Sequence, residues 1–182
     1  VRCVPHAIDL SIYEKSYKIQ EIPQTMGTFK FFCASENVPR KNLEQLVAAY
    51  WAEFDPTEPV SLILKTQESI AQTLNNLKKK LRLYDIDAYQ KIIVISSKLT
   101  TPEMLGLYEN CDCYVNTSMG ESWALPIVHA MGFQKPIISP SHGGPKDLLW
   151  GYNAWYTLGT IDTWCEGHNL NIKGFQTGYD RW

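Results

Sequence analysis

A glutamate and a histidine eight residues apart are the first residues of this chain that could do chemistry together. Glu121 lies in a glycine-bearing turn after an apolar segment, and His129 lies about two helical turns further on, in a helix that begins near Pro126. A helix N-terminus has N–H groups without intrahelical partners and a partial positive charge. At the carboxyl end of a parallel strand, such a turn is an anion site, usually for phosphate. The spacing therefore predicts one carboxylate and one imidazole beside a diphosphate.

Basic candidates lie at the end of an earlier loop. Arg40 and Lys41 come just before Asn42, which is expected to cap a helix. A lysine at this point can pair with a phosphate while the helix amides donate hydrogen bonds. Lys98 follows a later apolar segment and could also reach a phosphate. Ordinary solvated surface charge remains an alternative interpretation for all three side chains.

The elements that must position these residues alternate between strand and helix. Apolar runs predict strands, and apolar residues at three- and four-residue spacing predict helices between them. The predicted strands are 30–35, 60–66, 91–96, 113–116, 136–139 and 154–156, and helices are predicted to begin near residues 42, 70, 101 and 126. Because the strands are nearly continuous apolar runs, the sheet should be parallel and covered on both faces. The prediction is a doubly wound α/β domain that binds its ligand at the carboxyl ends of the strands.

The composition is that of a globular domain. The 182 residues are 45% hydrophobic and 20% charged, with a net charge of −2. This charge gives no reason to expect binding to nucleic acid or to an anionic membrane. No apolar run approaches the roughly 18 residues of a membrane span, and no signal peptide is visible. We therefore expect a cytoplasmic domain without a transmembrane segment.

The five cysteines have no disulfide-framework or zinc spacing. Cys111 and Cys113 are two apart at the entry to a strand, so both are expected on one face of the sheet. A zinc site needs a second pair of ligands, which the sequence lacks. Small buried hydrophobic residues in a reducing compartment are the preferred interpretation. The acidic pair Asp85 and Asp87 lies in a predicted turn, and no metal site is predicted.

The segment from Ser118 to Ile138 resembles the signature of the retaining glycosyltransferases of family 4, which have the GT-B fold. Their nucleotide-sugar half typically reads Ser-x-x-Glu-Gly-Phe-Gly-Leu-Pro-x-x-x-Glu-Ala-Met-Ala-x-Gly-Lys-Pro-Val-Ile. The matching residues here are Ser118, Glu121, Leu125, Pro126, Ala130, Met131, Lys135, Pro136 and Ile138. Trp123 stands in place of the aromatic residue, Ala124 in place of the second glycine, and His129 in place of the second glutamate.

The resemblance implies a site for a UDP- or GDP-linked sugar donor, with no further cofactor. Lys41 takes the place of the phosphate-binding lysine, and Glu121 that of the catalytic glutamate, although a helix cap is an alternative role for its carboxylate. His129 would hold the ribose more weakly than a carboxylate, because a neutral imidazole accepts only one hydrogen bond. The alternative interpretation is that His129 packs on the helix and has no role in ligand binding. The other residues implied at the site are Arg40, Lys98, Leu99, Gly120, Ser122, Trp123, Ala124 and Leu125.

Two further residues, Glu36 and Asp147, depart from the family pattern. Glu36 occupies the position of the family's arginine and has the wrong charge. Asp147 takes the place of a glutamate that follows the family's Gly-Gly turn after the fifth strand. Gly143 and Gly144 resemble that turn, where two glycines permit positive φ and close approach to a ligand.

The resemblance also implies the organisation of the chain. Residues 1–28 would be an interdomain linker, 29–160 the Rossmann-like donor-binding domain, and 161–182 a truncated tail. The implied function is retaining, metal-independent hexosyl transfer to a glycan, lipid or protein acceptor held by a missing amino-terminal domain, with little activity in the fragment alone. A degenerate, non-catalytic domain that acts as a scaffold or regulatory partner is the alternative, favoured by Glu36 and His129. Another GT-B enzyme, such as a phosphorylase or an epimerase, is a third interpretation.

Overall fold

The computed structural model describes residues 6–17, 22–67, 69–83, 89–149 and 157–158. Six strands lie within these residues: β1 Phe29–Ala34, β2 Val60–Lys65, β3 Ile92–Ile95, β4 Cys113–Val115, β5 Ile137–Pro140 and β6 Thr157–Leu158. They form one parallel sheet in the order β3-β2-β1-β4-β5-β6. The helices are α1 Leu43–Glu53, α2 Ala71–Leu81, α3 Thr101–Asn110, α4 Leu125–Gly132 and α5 Gly143–Leu149. The predicted doubly wound α/β fold is confirmed.

Helices cover both faces of the sheet. Along β2, Leu62 and Leu64 pack into one apolar cluster and Ile63 into the other, as the two-residue alternation of a strand requires. The first cluster contains buried residues of α1 and α2, and the second contains residues of α3 and α4. Because both faces of the inner strands are buried, their apolar runs are nearly continuous, and this explains why the sequence pattern indicated a parallel sheet.

The strand order reverses between β1 and β4. The chain runs from β1 outward through β2 to β3, then returns to place β4 on the other side of β1, where Phe31 pairs with Cys113. The loops that follow β1 and β4 therefore leave the sheet in opposite directions. Such a reversal opens a crevice outside the carboxyl ends of the strands, which is where ligands bind in open α/β sheets.

The helix starts follow the sequence signals to different degrees. Thr100 and Glu103 form a capping box at α3, in which the Glu103 carboxylate accepts from the Thr100 N–H at 2.7 Å. Asn42 does occupy the cap position of α1, but its backbone is left-handed, with φ of 57°, and its side chain makes no capping hydrogen bond. Asn42 therefore contributes through its backbone conformation, because asparagine adopts left-handed φ and ψ angles more readily than most residues.

Two local predictions are wrong. Cys111 packs in the cluster beneath α3 and α4, whereas Cys113 packs in the opposite cluster, because Cys111 ends α3 and precedes the strand whose alternation was assumed. The expected turn at Gly143 and Gly144 is instead the first turn of α5. The interpretation of buried thiols holds for Cys33 as well as for these two residues. Burial raises the pKa of Cys111 to about 12, so the thiol is protonated at neutral pH.

Some predictions fall outside the described residues. They are the proposed strand 154–156, the acidic pair in 85–87, the tail 161–182, and Cys3 and Cys165. None of the helices in the described part of the chain is long and apolar enough to cross a membrane.

Candidate functional site

Two loops meet at the carboxyl edge of the sheet, one after β1 and one after β4. The Met119 N–H donates to the Arg40 carbonyl at 2.8 Å, and the Thr117 hydroxyl donates to the Lys41 carbonyl at 2.9 Å. The Ser118 hydroxyl lies 3.3 Å from the same Arg40 carbonyl. These contacts fix the two loops against each other directly above the reversal in strand order, so their side chains share one crevice.

Lys41, Arg40 and Glu121 form a charged cluster in this crevice. The Lys41 ammonium pairs with one carboxylate oxygen of Glu121, and an Arg40 guanidinium nitrogen lies 3.4 Å from the other. Arg40 also donates to the Gly120 carbonyl at 2.5 Å. The side chains of Lys41 and Glu121 are only 16% and 13% exposed, whereas that of Arg40 is 52% exposed. Two cations thus converge on one carboxylate in a largely shielded place, where opposite charges attract more strongly than in water.

The predicted capping role of Glu121 is not observed. The cap position of α4 is Ala124, which has left-handed backbone with φ of 60°, and no side chain makes a capping hydrogen bond there. The Glu121 carboxylate points to the basic residues of the other loop instead. The start of α4 therefore has no side-chain acceptor of its own, and a bound anion would meet no competing cap at this position.

The two glycines at the start of α5 hold the Glu121 loop in place. The Gly144 N–H donates to the Glu121 carbonyl at 2.9 Å. A Cβ atom on Gly144 would lie 2.2 Å from the Ser122 carbonyl oxygen, and one on Gly143 would lie 2.8 Å from the Glu121 carbonyl oxygen. The close approach predicted for these glycines is therefore an approach to the protein's own backbone. Sequence reasoning identified the residues but not this contact.

His129 lies on α4 next to an aromatic segment from the start of the chain. Its Nδ1 atom is 3.0 Å from the hydroxyl of Tyr13, which lies in the 3₁₀ helix Leu10–Glu14. The Tyr108 ring also packs against the imidazole, with ring centroids 5.3 Å apart. Burial lowers the pKa of His129, so the ring is neutral at pH 7. Nothing in the sequence pattern pointed to Tyr13, because its contact spans 116 positions.

Trp123 and its neighbours complete the loop before α4. The Trp123 ring packs near the His6 ring, with centroids 5.8 Å apart, and its Nε1 atom is buried without a hydrogen-bond partner among the described residues. Ser122 is exposed, and Leu125 is 47% exposed at the first position of α4. These residues lie beside Glu121, as the sequence predicted for a continuous loop.

Lys98 and Leu99 follow β3, two strands away from β1 in the sheet. Lys98 is exposed, and among the described residues no ion pair joins it to the Lys41 cluster. Leu99 packs against the apolar cluster beneath α3 and α4. Glu36, at the position of the family's arginine, is exposed just after β1. The structure therefore brings Arg40, Lys41 and Glu121 together in ion pairs of which Lys98 is not a member.

Comparison with known proteins defines the class. Residues 28–158 match the family described as Glycosyl transferases group 1. The match covers more than half of the chain, and the chain belongs to the group 1 glycosyl transferases. No curated protein sequence is significantly similar to it.

Several solved structures share the fold. The C-terminal domain of LpcC, a group 1 protein from Francisella tularensis, is 16% identical with a TM-score of 0.60, over 88% of this chain and 85% of that domain. Anabaena HepE, in a complex with UDP and glucose, is 22% identical with a TM-score of 0.53, over 69% of this chain and 33% of HepE. S. aureus TarM, in a complex that includes UDP, is 17% identical with a TM-score of 0.56, over 87% of this chain and 30% of TarM. The chain thus spans about a third of the length of HepE and TarM.

Proposed function

We propose that this chain binds the diphosphate of a nucleotide-sugar donor between the loops that follow β1 and β4, as the donor-binding half of a glycosyltransferase. The observation that carries this proposal is the convergence of Lys41 and Arg40 on one carboxylate at the reversal in strand order. Two cations and one carboxylate leave a positive charge at the crevice. A diphosphate supplies the anion that such a site prefers.

In this proposal the diphosphate displaces the Glu121 carboxylate from the two basic side chains. Lys41 then pairs with phosphate oxygens, and the N–H groups at the uncapped start of α4 and in the loop before it donate further hydrogen bonds. The loop residues with this proposed role are Gly120, Ser122, Trp123, Ala124 and Leu125. The released Glu121 carboxylate lies at the sugar, where it supports positive charge at the anomeric carbon.

The nucleoside would extend from the diphosphate past α4. His129 holds the ribose, and the loop of Lys98 and Leu99 contacts the base. HepE and TarM were both solved with UDP, which supports uridine as the first base to test. Guanosine remains the second candidate from the resemblance to family 4.

The proposed reaction is retaining and needs no metal. The bond from the anomeric carbon to the diphosphate oxygen breaks, and a bond to the acceptor oxygen forms on the same face. The acceptor proton passes to the departing diphosphate. Lys41, Arg40 and the helix amides stabilise the charge that develops on this leaving group. The acceptor, a glycan, lipid or protein, is bound by a further domain of the whole enzyme.

The domain boundaries from the sequence remain proposals. Residues 1–28 are proposed as the interdomain linker, 29–160 as the donor domain and 161–182 as a truncated tail. Residues 6–17 lie against the donor domain, with the Tyr17 N–H donating to Glu109 of α3 at 2.8 Å. A linker fixed in this way would set the angle at which an acceptor domain meets the crevice.

A degenerate, non-catalytic domain is the second candidate. It is favoured by Glu36, which has the wrong charge at the position of the family's arginine, and by His129, whose Nδ1 atom already bonds Tyr13. In this case the Lys41–Glu121 pair would be a permanent structural contact, and the domain would act as a scaffold or regulatory partner. The two candidates differ in whether a nucleoside diphosphate separates that pair.

Calorimetric titration tests the proposal. UDP, GDP, ADP and their hexose conjugates are titrated into the chain and into a Lys41→Ala variant. We expect saturable binding of one nucleotide, weakened about tenfold or more by Lys41→Ala, because a hydrogen bond to a charged group contributes about 1.5–3 kcal/mol. The control is Lys80→Ala, which breaks an exposed 3.4 Å ion pair to Glu44 elsewhere. No binding by the folded wild-type chain would favour the non-catalytic domain. Equal affinities of the wild-type chain and the Lys41→Ala variant would favour it as well.

A further inference from the structure

Tyr13 contacts the residue that takes the place of the family's ribose-binding glutamate. We propose that Tyr13 is a positioning residue, which orients the His129 ring so that its other nitrogen, Nε2, meets a ribose hydroxyl. The inference rests on the proposed function and adds the recognition of the ribose to it.

The geometry fixes the Tyr13 ring tightly on α4. Its hydroxyl lies 3.0 Å from His129 Nδ1, and its ring meets Phe133 edge to face, with centroids 5.2 Å apart. One turn from His129, a Cβ atom on Gly132 would lie 2.6 Å from the tyrosine ring. The ring therefore occupies a place on α4 that only glycine leaves open. A hydroxyl held by these contacts has little freedom to move away from the imidazole.

The short segment that contains Tyr13 is itself anchored. The Asp9 carboxylate accepts from the Ser11 N–H at 3.0 Å at the start of the 3₁₀ helix. The Tyr17 hydroxyl donates to the Ile12 carbonyl at 2.6 Å, and the Tyr17 N–H donates to Glu109 at 2.8 Å. The segment is thus bound to α3 and α4 at several points. This rigidity gives the Tyr13 hydroxyl a defined position.

The hydrogen bond explains how an imidazole can take over from a carboxylate. A neutral imidazole has one donor and one acceptor nitrogen, and burial keeps His129 neutral. Tyr13 engages Nδ1 and leaves Nε2 to make one hydrogen bond. A carboxylate can accept from both hydroxyls of a ribose, whereas one fixed ring nitrogen bonds to one of them. A hydrogen bond of this kind, to the ring nitrogen that does not meet the ligand, sets the orientation of a ring and decides which nitrogen faces a ligand.

The test compares ligands with and without ribose hydroxyls. Uridine and guanosine diphosphate, their 2′,3′-dideoxy analogues and inorganic diphosphate are titrated into the wild-type chain and the Tyr13→Phe variant. Phenylalanine keeps the ring contacts to Gly132 and Phe133 and removes only the hydroxyl. The matched control is Tyr17→Phe, which removes a hydroxyl of the same segment that bonds a backbone carbonyl. A double-mutant cycle with His129→Ala shows whether Tyr13 acts through the imidazole.

We expect Tyr13→Phe to lower the affinity for the ribonucleotide about threefold to tenfold, in line with the loss of a hydrogen bond of about 0.5–1.5 kcal/mol. The affinities for the dideoxy analogue and for inorganic diphosphate should not change, and Tyr13→Phe should have no effect once His129 is alanine. A merely structural role would lower the affinity for all ligands together. Ribonucleotide binding that is unaffected by Tyr13→Phe, or equally reduced by Tyr17→Phe, overturns this inference alone. No binding by the wild-type chain overturns the proposed function as well.

Discussion

The ion pair between Lys41 and Glu121 joins two loops whose residues are 80 positions apart in the sequence. The loops leave the sheet from the adjacent strands β1 and β4, on either side of the reversal in strand order. With Arg40 3.4 Å from the second carboxylate oxygen, Glu121 satisfies the two cations that the proposed function assigns to phosphate. If the proposed function holds, the carboxylate therefore competes with a phosphate for the same partners.

The first prediction concerns this competition. Glu121→Gln removes the negative charge from the cluster and leaves Lys41 and Arg40 without an anion. We expect inorganic diphosphate to bind about threefold to tenfold more tightly, because the repulsion between the carboxylate and the incoming anion is lost. Calorimetric titration of inorganic diphosphate into the variant and into the wild-type chain measures the effect.

The control for this variant is Glu44→Gln, which removes the partner of Lys80 in an exposed ion pair on α1 and α2. Exposed ion pairs are screened by water and salt, so this change should leave the affinity for diphosphate unaltered. Weaker binding of inorganic diphosphate to Glu121→Gln than to the wild-type chain would contradict the proposed competition.

The fold could be predicted because it depends on local patterns. The nearly continuous apolar run of β2 predicted a buried parallel strand, and the spacing of Leu43, Leu46 and Val47 predicted α1. These signals are local because a segment that is buried on both faces of the sheet must itself consist mostly of apolar residues. The rule that ligands bind at the carboxyl ends of parallel strands also predicted that Lys41 and Glu121 lie at one edge of the sheet.

Other parts of the site could not be predicted because they depend on contacts between distant segments. The hydrogen bond from Tyr13 to His129 and the backbone approach of Gly144 to the Glu121 loop have no local pattern. The error over Cys111 has the same origin, since the spacing alone did not show that the strand begins only at Cys113. Sequence reasoning thus identified the charged residues and missed the contacts that orient them.

The second prediction concerns the glycine that supports the Glu121 loop. In a Gly144→Ala variant the new Cβ would meet the Ser122 carbonyl at 2.2 Å, and backbone must shift to relieve the clash. We expect a loss of about 1–3 kcal/mol in the free energy of unfolding, as is typical of overpacking. Affinity for the nucleotide should fall as well, because the shift moves the residues next to Glu121. Urea unfolding and calorimetric titration measure the two quantities.

Gly120→Ala is the stability control for this variant. A Cβ atom on Gly120 meets no atom within 4 Å, so the free energy of unfolding should change little although the residue lies in the same loop. Equal stability of the Gly144→Ala variant and the wild-type chain would show that α5 does not hold the loop through this contact.

The third prediction concerns pH. Burial lowers the pKa of His129 in the folded chain below its ordinary value of 6.5. As the pH falls through that value, the unfolded chain takes up a proton that the folded chain does not, and protonation favours unfolding. The stability linked to His129 is therefore fully present above about pH 6.5 and is lost as the pH falls towards the lower folded value. The wild-type chain should accordingly lose more stability between pH 7.5 and pH 5.5 than a His129→Gln variant.

Urea unfolding at the two pH values measures the difference. Glutamine cannot titrate, and it retains a polar group that can reach the Tyr13 hydroxyl, so the two proteins differ mainly in the proton uptake. Gly120→Ala, which changes no titratable group and meets no atom within 4 Å, is the control and should keep the pH dependence of the wild-type chain. An equal loss of stability in the wild-type chain and in His129→Gln would show that the His129 ring is solvated in the folded protein.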